Sequence, residues 1–251
     1  MLLGIDTSGA VSVAVARASF GAGRDATGAG AEASPFDGAP APEVLAVRSD
    51  QRARHHDEVL LALIDETMRE AGATRAELTG IVVGRGPGPF TGLRVGLVAA
   101  RSIADILGIP LYGLSSLDAL AEQALAEYAP AASASLTVAV ALDARRREVY
   151  HARYRQDADG TLTRTADPAV DAPAAVAADL SACDLLVGSG AALYPELLPA
   201  TSPLVDADAG YLIRAASRLI GQGEDLADTD PMYLREPDAA KPTARKSALG
   251  L

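Results

Sequence analysis

Residues 80–107 read GIVVGRGPGPFTGLRVGLVAARSIADIL, a short apolar run, then a glycine- and proline-rich loop, then a long apolar segment. The run at 80–84 is typical of a strand that a sheet buries on both faces. Thr91 is a candidate N-cap for a helix that continues to about Leu107, because its hydroxyl can accept from a first-turn amide. With a further strand predicted at 111–114, this stretch predicts a strand–helix–strand unit of an α/β layer.

The loop between this strand and this helix first suggests a phosphate cradle, because backbone amides and a helix N-terminus attract anions. Its spacing, however, matches neither the G-x-x-x-x-G-K-[ST] nor the G-x-G-x-x-G pattern. Pro87 and Pro89 also lack the N–H groups that a cradle would use. We therefore favour a structural role for the loop over phosphate binding.

The predicted helix carries very small side chains at every fourth position, which places them on one face. Glycine inside a helix costs about 1 kcal/mol relative to alanine, so its presence needs a packing reason. Two interpretations remain open: the small face packs on the chain's own sheet, or it receives a helix from a partner. The residues of this small-residue stripe are Gly92, Gly96, Ala100 and Ala104.

Composition limits the classes of protein to which the chain can belong. Its 251 residues are 49% hydrophobic but only 4% aromatic, which indicates an aliphatic core and disfavours base stacking. The net charge of -11 disfavours strong RNA binding by the chain alone. The single cysteine, Cys183, rules out an internal disulfide. Without a signal peptide or an apolar run long enough to span a bilayer, the sequence predicts a soluble cytoplasmic protein that does not enter a membrane.

The N-terminal part of the chain predicts a β-hairpin whose turn is Asp6-Thr7-Ser8-Gly9. Residues 18–43 lack apolar periodicity and are predicted to be a flexible insertion. A third strand at 44–47 and a helix at 57–71 follow. His55 and His56 are adjacent, which is not the i, i+4 spacing of a helical zinc site, and the third histidine is the distant His151. We therefore predict no metal site.

The second half of the chain predicts strands at 136–142, 148–155, 161–165 and 184–188, helices at about 116–128 and 209–220, and an Ala-rich helix that begins at Pro173. Asp143 follows the first of these strands and precedes three arginines instead of a glycine. These arginines could attract an anion, but a turn with solvated charges is the default interpretation.

Four segments together resemble the TsaB (YeaZ) family. They are LGIDTS at 3–8, RHHDEVLL at 54–61, GRGPGPFTGLRVGLVAARSIA at 84–104 and PMYLR at 231–235. The resemblance implies an α/β fold of the two-lobed, actin-like (ASKHA) type, with mixed sheets flanked by helices. It implies an N-terminal lobe at 1–113 joined by residues 208–222, a C-terminal lobe at 114–207, and a C-terminal extension at 223–251 whose end is mobile.

The resemblance also implies a function. Family members are non-catalytic scaffolds in the formation of threonylcarbamoyladenosine (t6A) at position 37 of ANN-decoding tRNAs. They bind the catalytic subunit TsaD, the ATPase TsaE joins the complex, and tRNA is contacted only through it. Two helices, matching 57–71 and 91–107 here, form the contact, and the same surface is expected to allow a homodimer. The implied interface residues are Val59, Leu60, Leu63, Gly92, Gly96, Ala100 and Ala104.

Two alternatives to a scaffold stay open. A degenerate nucleotide-binding or ATPase module would use remnants of the superfamily's phosphate and adenosine loops, namely Asp6, Thr7, Gly188 and Gly190. An M22-type peptidase would need an activated nucleophile or a metal-bound water, and neither is visible in the sequence. We predict no cofactor and no catalytic residue, so the chain is expected to be an accessory subunit and not an enzyme.

Overall fold

The computed structural model describes residues 1–17, 41–51, 56–129 and 135–235. The predicted insertion at 18–43 lies almost entirely outside these residues, as do His55 and residues 236–251 of the predicted extension.

The first half of the chain forms a mixed, five-stranded sheet in the order β3-β2-β1-β4-β5. Strands β1 to β3 are antiparallel, as the hairpin prediction required, and β4 and β5 add in parallel to β1. Strand β4 is buried along its whole length because helices cover both of its faces. The strands are β1 (Leu2–Asp6), β2 (Val11–Arg17), β3 (Glu43–Asp50), β4 (Gly80–Gly84) and β5 (Leu111–Leu114).

Helices cover the two faces of this first sheet. Helices α1 (His56–Glu70) and α2 (Phe90–Leu107) pack on the face that carries Leu3 and Ile5, and a short 3-10 turn at Arg75–Glu77 connects α1 to β4. Helix α3 (Ser116–Tyr128) packs on the opposite face.

The C-terminal half of the chain forms a four-stranded sheet in the order β8-β7-β6-β9. Leu117 and Leu120 of α3 pack on one of its faces, so α3 lies between the two sheets, and two short helices cover the other face. Helix α6 then returns to pack on the first sheet, against Leu2. The elements are β6 (Leu136–Asp143), β7 (Val149–Gln156), β8 (Leu162–Asp171), α4 (Pro173–Ser181), β9 (Leu185–Val187), α5 (Ser189–Leu193) and α6 (Ala209–Gly221).

The α/β fold with mixed sheets flanked by helices is confirmed, and two local predictions are corrected. The N-cap of α2 is Pro89 and not Thr91, because the loop keeps an extended backbone as far as Pro89 and makes no side-chain cap. Strand β8 runs to Asp171, well past the predicted end at 165, because an irregular register lets it continue along β7. The division into lobes at residue 113 stays a prediction.

A C-terminal strap, residues 224–235, leaves α6 and crosses the first sheet. The amide of Gly113 donates to the Leu226 carbonyl at 2.8 Å, and the amide of Met232 donates to the Arg85 carbonyl at 2.8 Å. Arg235 then forms an ion pair with Glu148 next to the second sheet. Among the described residues, no helix combines the length and the apolar character needed to cross a bilayer.

Candidate functional site

The small-residue stripe of α2 faces the chain's own first sheet. Ala100 and Ala104 are buried in the core below it, and Gly92 and Gly96 are buried as well. A Cβ atom added at Gly96 would overlap the hydroxyl of Thr7 and lie 3.0 Å from its Cγ2. Gly96 is therefore required because the turn after β1 approaches the helix closely.

This placement corrects the expectation that the stripe forms a groove for a partner. Its four side chains are covered by the sheet, and Leu60 of α1 is also only 1% exposed. Val59 and Leu63 are half-buried and lie nearer the surface of α1. Of the two interpretations of the stripe left open by the sequence, the structure shows packing on the chain's own sheet.

The outer face of the same two helices carries the exposed apolar side chains. Leu61 on α1 is 65% exposed, and Val98 and Ile106 on α2 are 64% and 82% exposed. Val98 and Ile106 lie on the side of α2 away from the stripe, so the helical period could have identified them once the inner face was known.

An apolar groove of about 330 Å³ lies between α1 and α2. An ion pair between Arg75 and Asp65, at 3.2 Å, lies at its rim. We call this surface the α1–α2 groove. Its apolar lining includes Leu61, Ile64, Met68, Ile103, Ile106 and Leu107.

A second concave region, the interlobe cleft, lies between the two sheets and has a volume of about 760 Å³. The turn after β1, the loop before α2, the turn after β6 and the start of α5 all contribute to its lining. The lining of the cleft includes Ser8, Gly9, Ala10, Pro87, Pro89, Asp143, Arg145, Ser189 and Asp206.

The two nucleotide-remnant candidates in the first turn are engaged by the chain itself. The amide and the hydroxyl of Ser8 donate to Asp6 Oδ1 at 2.7 and 2.6 Å, which is the Asx turn that the sequence allowed as an alternative. The Thr7 hydroxyl donates to the Gly92 carbonyl at 2.8 Å. Burial raises the pKa of the Asp6 carboxyl. Neither Asp6 nor Thr7 lines the cleft; Ser8 does.

The other two remnant candidates have a packing role. A Cβ atom at Gly188 would overlap the Ala141 carbonyl oxygen, and one at Gly190 would lie 2.9 Å from it. Both glycines therefore let the start of α5 approach β6, and Ser189 between them reaches the cleft. The two turns that carry the nucleotide-remnant candidates therefore meet at the interlobe cleft. The candidates themselves are not in its lining, whereas the neighbouring Ser8 and Ser189 are.

The turn after β6 presents its arginines to solvent. Its backbone is left-handed at residues 145, 146 and 147, with φ of 60, 53 and 63°. Arg145 forms an ion pair with Asp143 at 2.9 Å, and its amide also donates to that carboxylate at 2.8 Å. The side chain of Arg145 therefore balances Asp143.

The interlobe cleft fits a nucleotide poorly. Pro87 and Pro89 line it without N–H groups, and the carboxylate of Asp206 adds negative charge to its lining. Within residues 1–17, 41–51, 56–129 and 135–235, no three His, Cys, Asp or Glu side chains converge as metal ligands would.

Comparison with known proteins agrees with this architecture. Residues 47–182 match the model of the family described as TsaD, tRNA N6-adenosine threonylcarbamoyltransferase. The chain is 30% identical over 200 residues to the Escherichia coli protein named tRNA threonylcarbamoyladenosine biosynthesis protein TsaB, covering 75% of this chain and 84% of that protein. The chain belongs to the TsaB (YeaZ) family.

Further similar proteins match most of the chain. An uncharacterized protein of Mycobacterium tuberculosis is 40% identical over 203 residues, which cover 80% of this chain and 84% of that protein. The solved structure of YeaZ from Pseudomonas aeruginosa superimposes with a TM-score of 0.68 at 29% identity, covering 93% of this chain and 99% of that one. The TsaB fold therefore accounts for both sheets and for the helices between them.

Proposed function

We propose that the chain is an accessory subunit in threonylcarbamoyladenosine biosynthesis and that it binds a TsaD-type catalytic subunit through the α1–α2 groove. The observation that carries the proposal is the apolar surface left on the outer face of two adjacent helices. The relatives named for tRNA threonylcarbamoyladenosine biosynthesis and the match to the TsaD family model support the pathway and the kind of partner.

The geometry of the groove suits a helix from another subunit. Exposed apolar side chains on adjacent helices offer ridges and a groove into which a second helix pair can pack. Completely burying one Ile or Leu side chain contributes about 1.5–3 kcal/mol, so Leu61 and Ile106 would be main contributors to such a contact and offset part of the entropy cost of association. The ion pair of Arg75 and Asp65 provides a polar rim.

The same surface serves a homodimer when no TsaD-type partner is present, and TsaE and tRNA associate through the assembled complex. The net charge of -11 supports an indirect contact with tRNA, because a strongly acidic chain repels phosphodiesters. The internal engagement of Asp6 and Thr7 supports a non-catalytic role, since both side chains are committed to holding the turn after β1.

The test replaces Ile106 with aspartate and measures binding to a TsaD-type partner by co-purification and calorimetry. A charge at a buried interface centre costs several kcal/mol, so we expect Ile106→Asp to abolish the complex and the tRNA modification that depends on it. Leu193→Asp is the matched control, because Leu193 is 53% exposed on α5, in the other half of the chain.

The folded state of both variants is checked by urea unfolding, since exposed positions change stability little. A folded Ile106→Asp variant that still binds the partner would refute the proposed surface. Equal loss of partner binding in Leu193→Asp would refute the location of the interface at the α1–α2 groove. Modification of tRNA by the chain without any TsaD-type subunit would refute the accessory role.

A further inference from the structure

The C-terminal strap is docked firmly on the edge of the first sheet. The Arg85 side chain donates through Nε to the Asp230 carbonyl at 2.7 Å and forms an ion pair with Asp228 at 2.5 Å. A Cβ atom added at Gly113 would overlap the Asp228 carbonyl oxygen, so the strap lies directly on β5, the edge strand of that sheet. Backbone and side chains therefore both hold this part of the strap.

The next residues of the strap are bound to the loop before α2. The Met232 amide donates to the Arg85 carbonyl at 2.8 Å. The ring of Tyr233 stacks on that of Phe90 with 5.2 Å between centroids, and the Arg94 guanidinium lies 3.8 Å from the centroid of the Phe90 ring. Because Phe90 is the first residue of α2, these contacts fix both ends of the loop that lines the interlobe cleft.

The last two residues of the strap reach the second sheet. Leu234 packs against the hydrophobic core between α3 and that sheet. Arg235 donates through Nη1 to the Ala144 carbonyl at 3.2 Å and forms an ion pair with Glu148. Ala144 and Glu148 flank the three left-handed residues of the turn after β6. Arg235 therefore binds both ends of this turn.

The loop and the turn are walls of the interlobe cleft that come from different sheets. Pro87 and Pro89 line the cleft from the first sheet, and Asp143 lines it from the second. Three residues of extended chain span at most about 11 Å, which is the reach of the backbone from Met232 to Arg235. The two walls therefore cannot move far apart while both ends of this segment stay bound.

We propose that the C-terminal strap is a tether that limits the opening of the interlobe cleft, and that its Arg235 end is the part that detaches. The side chains of Arg235 and Glu148 are both partly exposed, so water and salt weaken their ion pair. The Arg85 side chain is mostly buried and holds the strap by several contacts. Release of the Arg235 end leaves the strap on the first sheet and lets the two sheets turn apart about α3, which packs between them. The inference goes beyond the proposed function, because it concerns the cleft and not the α1–α2 groove.

The experiment measures the separation of the two halves of the full chain in solution. Spin labels are attached at Ala62→Cys on α1 and Ala178→Cys on α4, two exposed helical positions, in a Cys183→Ser background. The distance between the labels is measured by double electron–electron resonance. Arg235→Ala removes the tether's last contact, Arg235→Glu makes it repulsive, and Arg235→Glu combined with Glu148→Arg rebuilds the ion pair with the charges exchanged.

We expect Arg235→Ala and Arg235→Glu to lengthen the label-to-label distance, or to broaden its distribution, by at least about 2 Å. The charge-exchanged pair should restore the narrow distribution. Arg101→Ala is the matched control, because it removes the contact of Arg101 with Thr229, which ties the strap to α2 on the first sheet alone.

An unchanged distribution in folded Arg235→Ala would overturn the proposal. So would equal broadening in Arg101→Ala, or continued broadening in the charge-exchanged pair. Urea unfolding shows which variants are folded, and if Arg235→Ala does not fold, Glu148→Ala is judged by the same criteria.

Discussion

Replacing Gly96 by alanine tests the close contact between α2 and the turn after β1. The added Cβ would overlap the Thr7 hydroxyl and lie 3.0 and 3.2 Å from Thr7 Cγ2 and Cβ. Thr7 cannot easily move away, because it is 1% exposed and donates to the Gly92 carbonyl at 2.8 Å. The variant must therefore displace the helix or break this hydrogen bond.

The expected magnitude is a balance of three contributions. Overpacking a filled core costs about 1–3 kcal/mol, and loss of the Thr7 hydrogen bond costs about 1 kcal/mol. Replacing glycine by alanine inside a helix returns about 1 kcal/mol. We expect Gly96→Ala to lower the free energy of unfolding by about 1–3 kcal/mol, measured by urea titration.

Gly221→Ala is the matched control. Gly221 is the last residue of α6, and a Cβ there would meet no atom within 4 Å, so helix propensity alone operates. A double variant with Thr7→Ala removes the obstacle, and the cost of Gly96→Ala should then fall by about 1 kcal/mol or more. If Gly96→Ala is as stable as Gly221→Ala, the small-residue stripe is not packed in the core. A Gly96→Ala variant that is fully stable but no longer binds a TsaD-type partner would likewise refute the assignment of the stripe to the core.

Two further predictions concern the first turn and the strap. Burial raises the pKa of the Asp6 carboxyl in the folded protein. The protonated carboxyl therefore stabilises the fold in full at a pH below its unfolded pKa of about 4, and this stabilisation is lost as the pH rises through the folded pKa. Asp6→Asn removes the buried charge and should therefore be at least as stable at pH 7. A clear loss of stability in urea unfolding at pH 7 would contradict this prediction. In the strap, Tyr233 stacks on Phe90 with ring centroids 5.2 Å apart, and its hydroxyl accepts from Arg94 at 2.9 Å. Tyr233→Phe should lower the free energy of unfolding by about 1 kcal/mol, and Tyr233→Ala should increase hydrogen exchange in residues 224–235. Unchanged exchange in the alanine variant would contradict a docked strap.

Local sequence patterns predicted most of the fold. The run at 80–107 contains its own strand, loop and helix signals, and β4 and α2 lie within one residue of the predicted bounds. The N-cap was missed because Thr91 has the right chemistry, yet the extended backbone of Pro89 starts the helix earlier. Local rules identify elements well because their causes lie within a few residues.

The orientation of α2 depends on contacts distant in sequence and could not be predicted from its pattern. Both of its faces are compatible with burial, since one carries the small-residue stripe and the other carries Val98 and Ile106. Contacts with Thr7 and with the core of the first sheet, all distant in sequence, show which face meets the sheet. Asp206 was missed for the same reason, because it is about 200 residues from the turn that it contacts and no local motif marks it.

Helix α2 has two faces with separate tasks, one packed on the turn after β1 and the other left for the proposed partner. Its inner face holds the turn after β1 through the hydrogen bond from the Thr7 hydroxyl to the Gly92 carbonyl. Its outer face is left exposed and forms one wall of the α1–α2 groove. Because these faces lie on opposite sides of the helix, Ile106→Asp should leave the packing of Gly96 against Thr7, and with it the free energy of unfolding, nearly unchanged. If Ile106→Asp lost both partner binding and much of its stability, the helix would have to move as a unit, and the rigid packing of Gly96 against Thr7 argues against that movement.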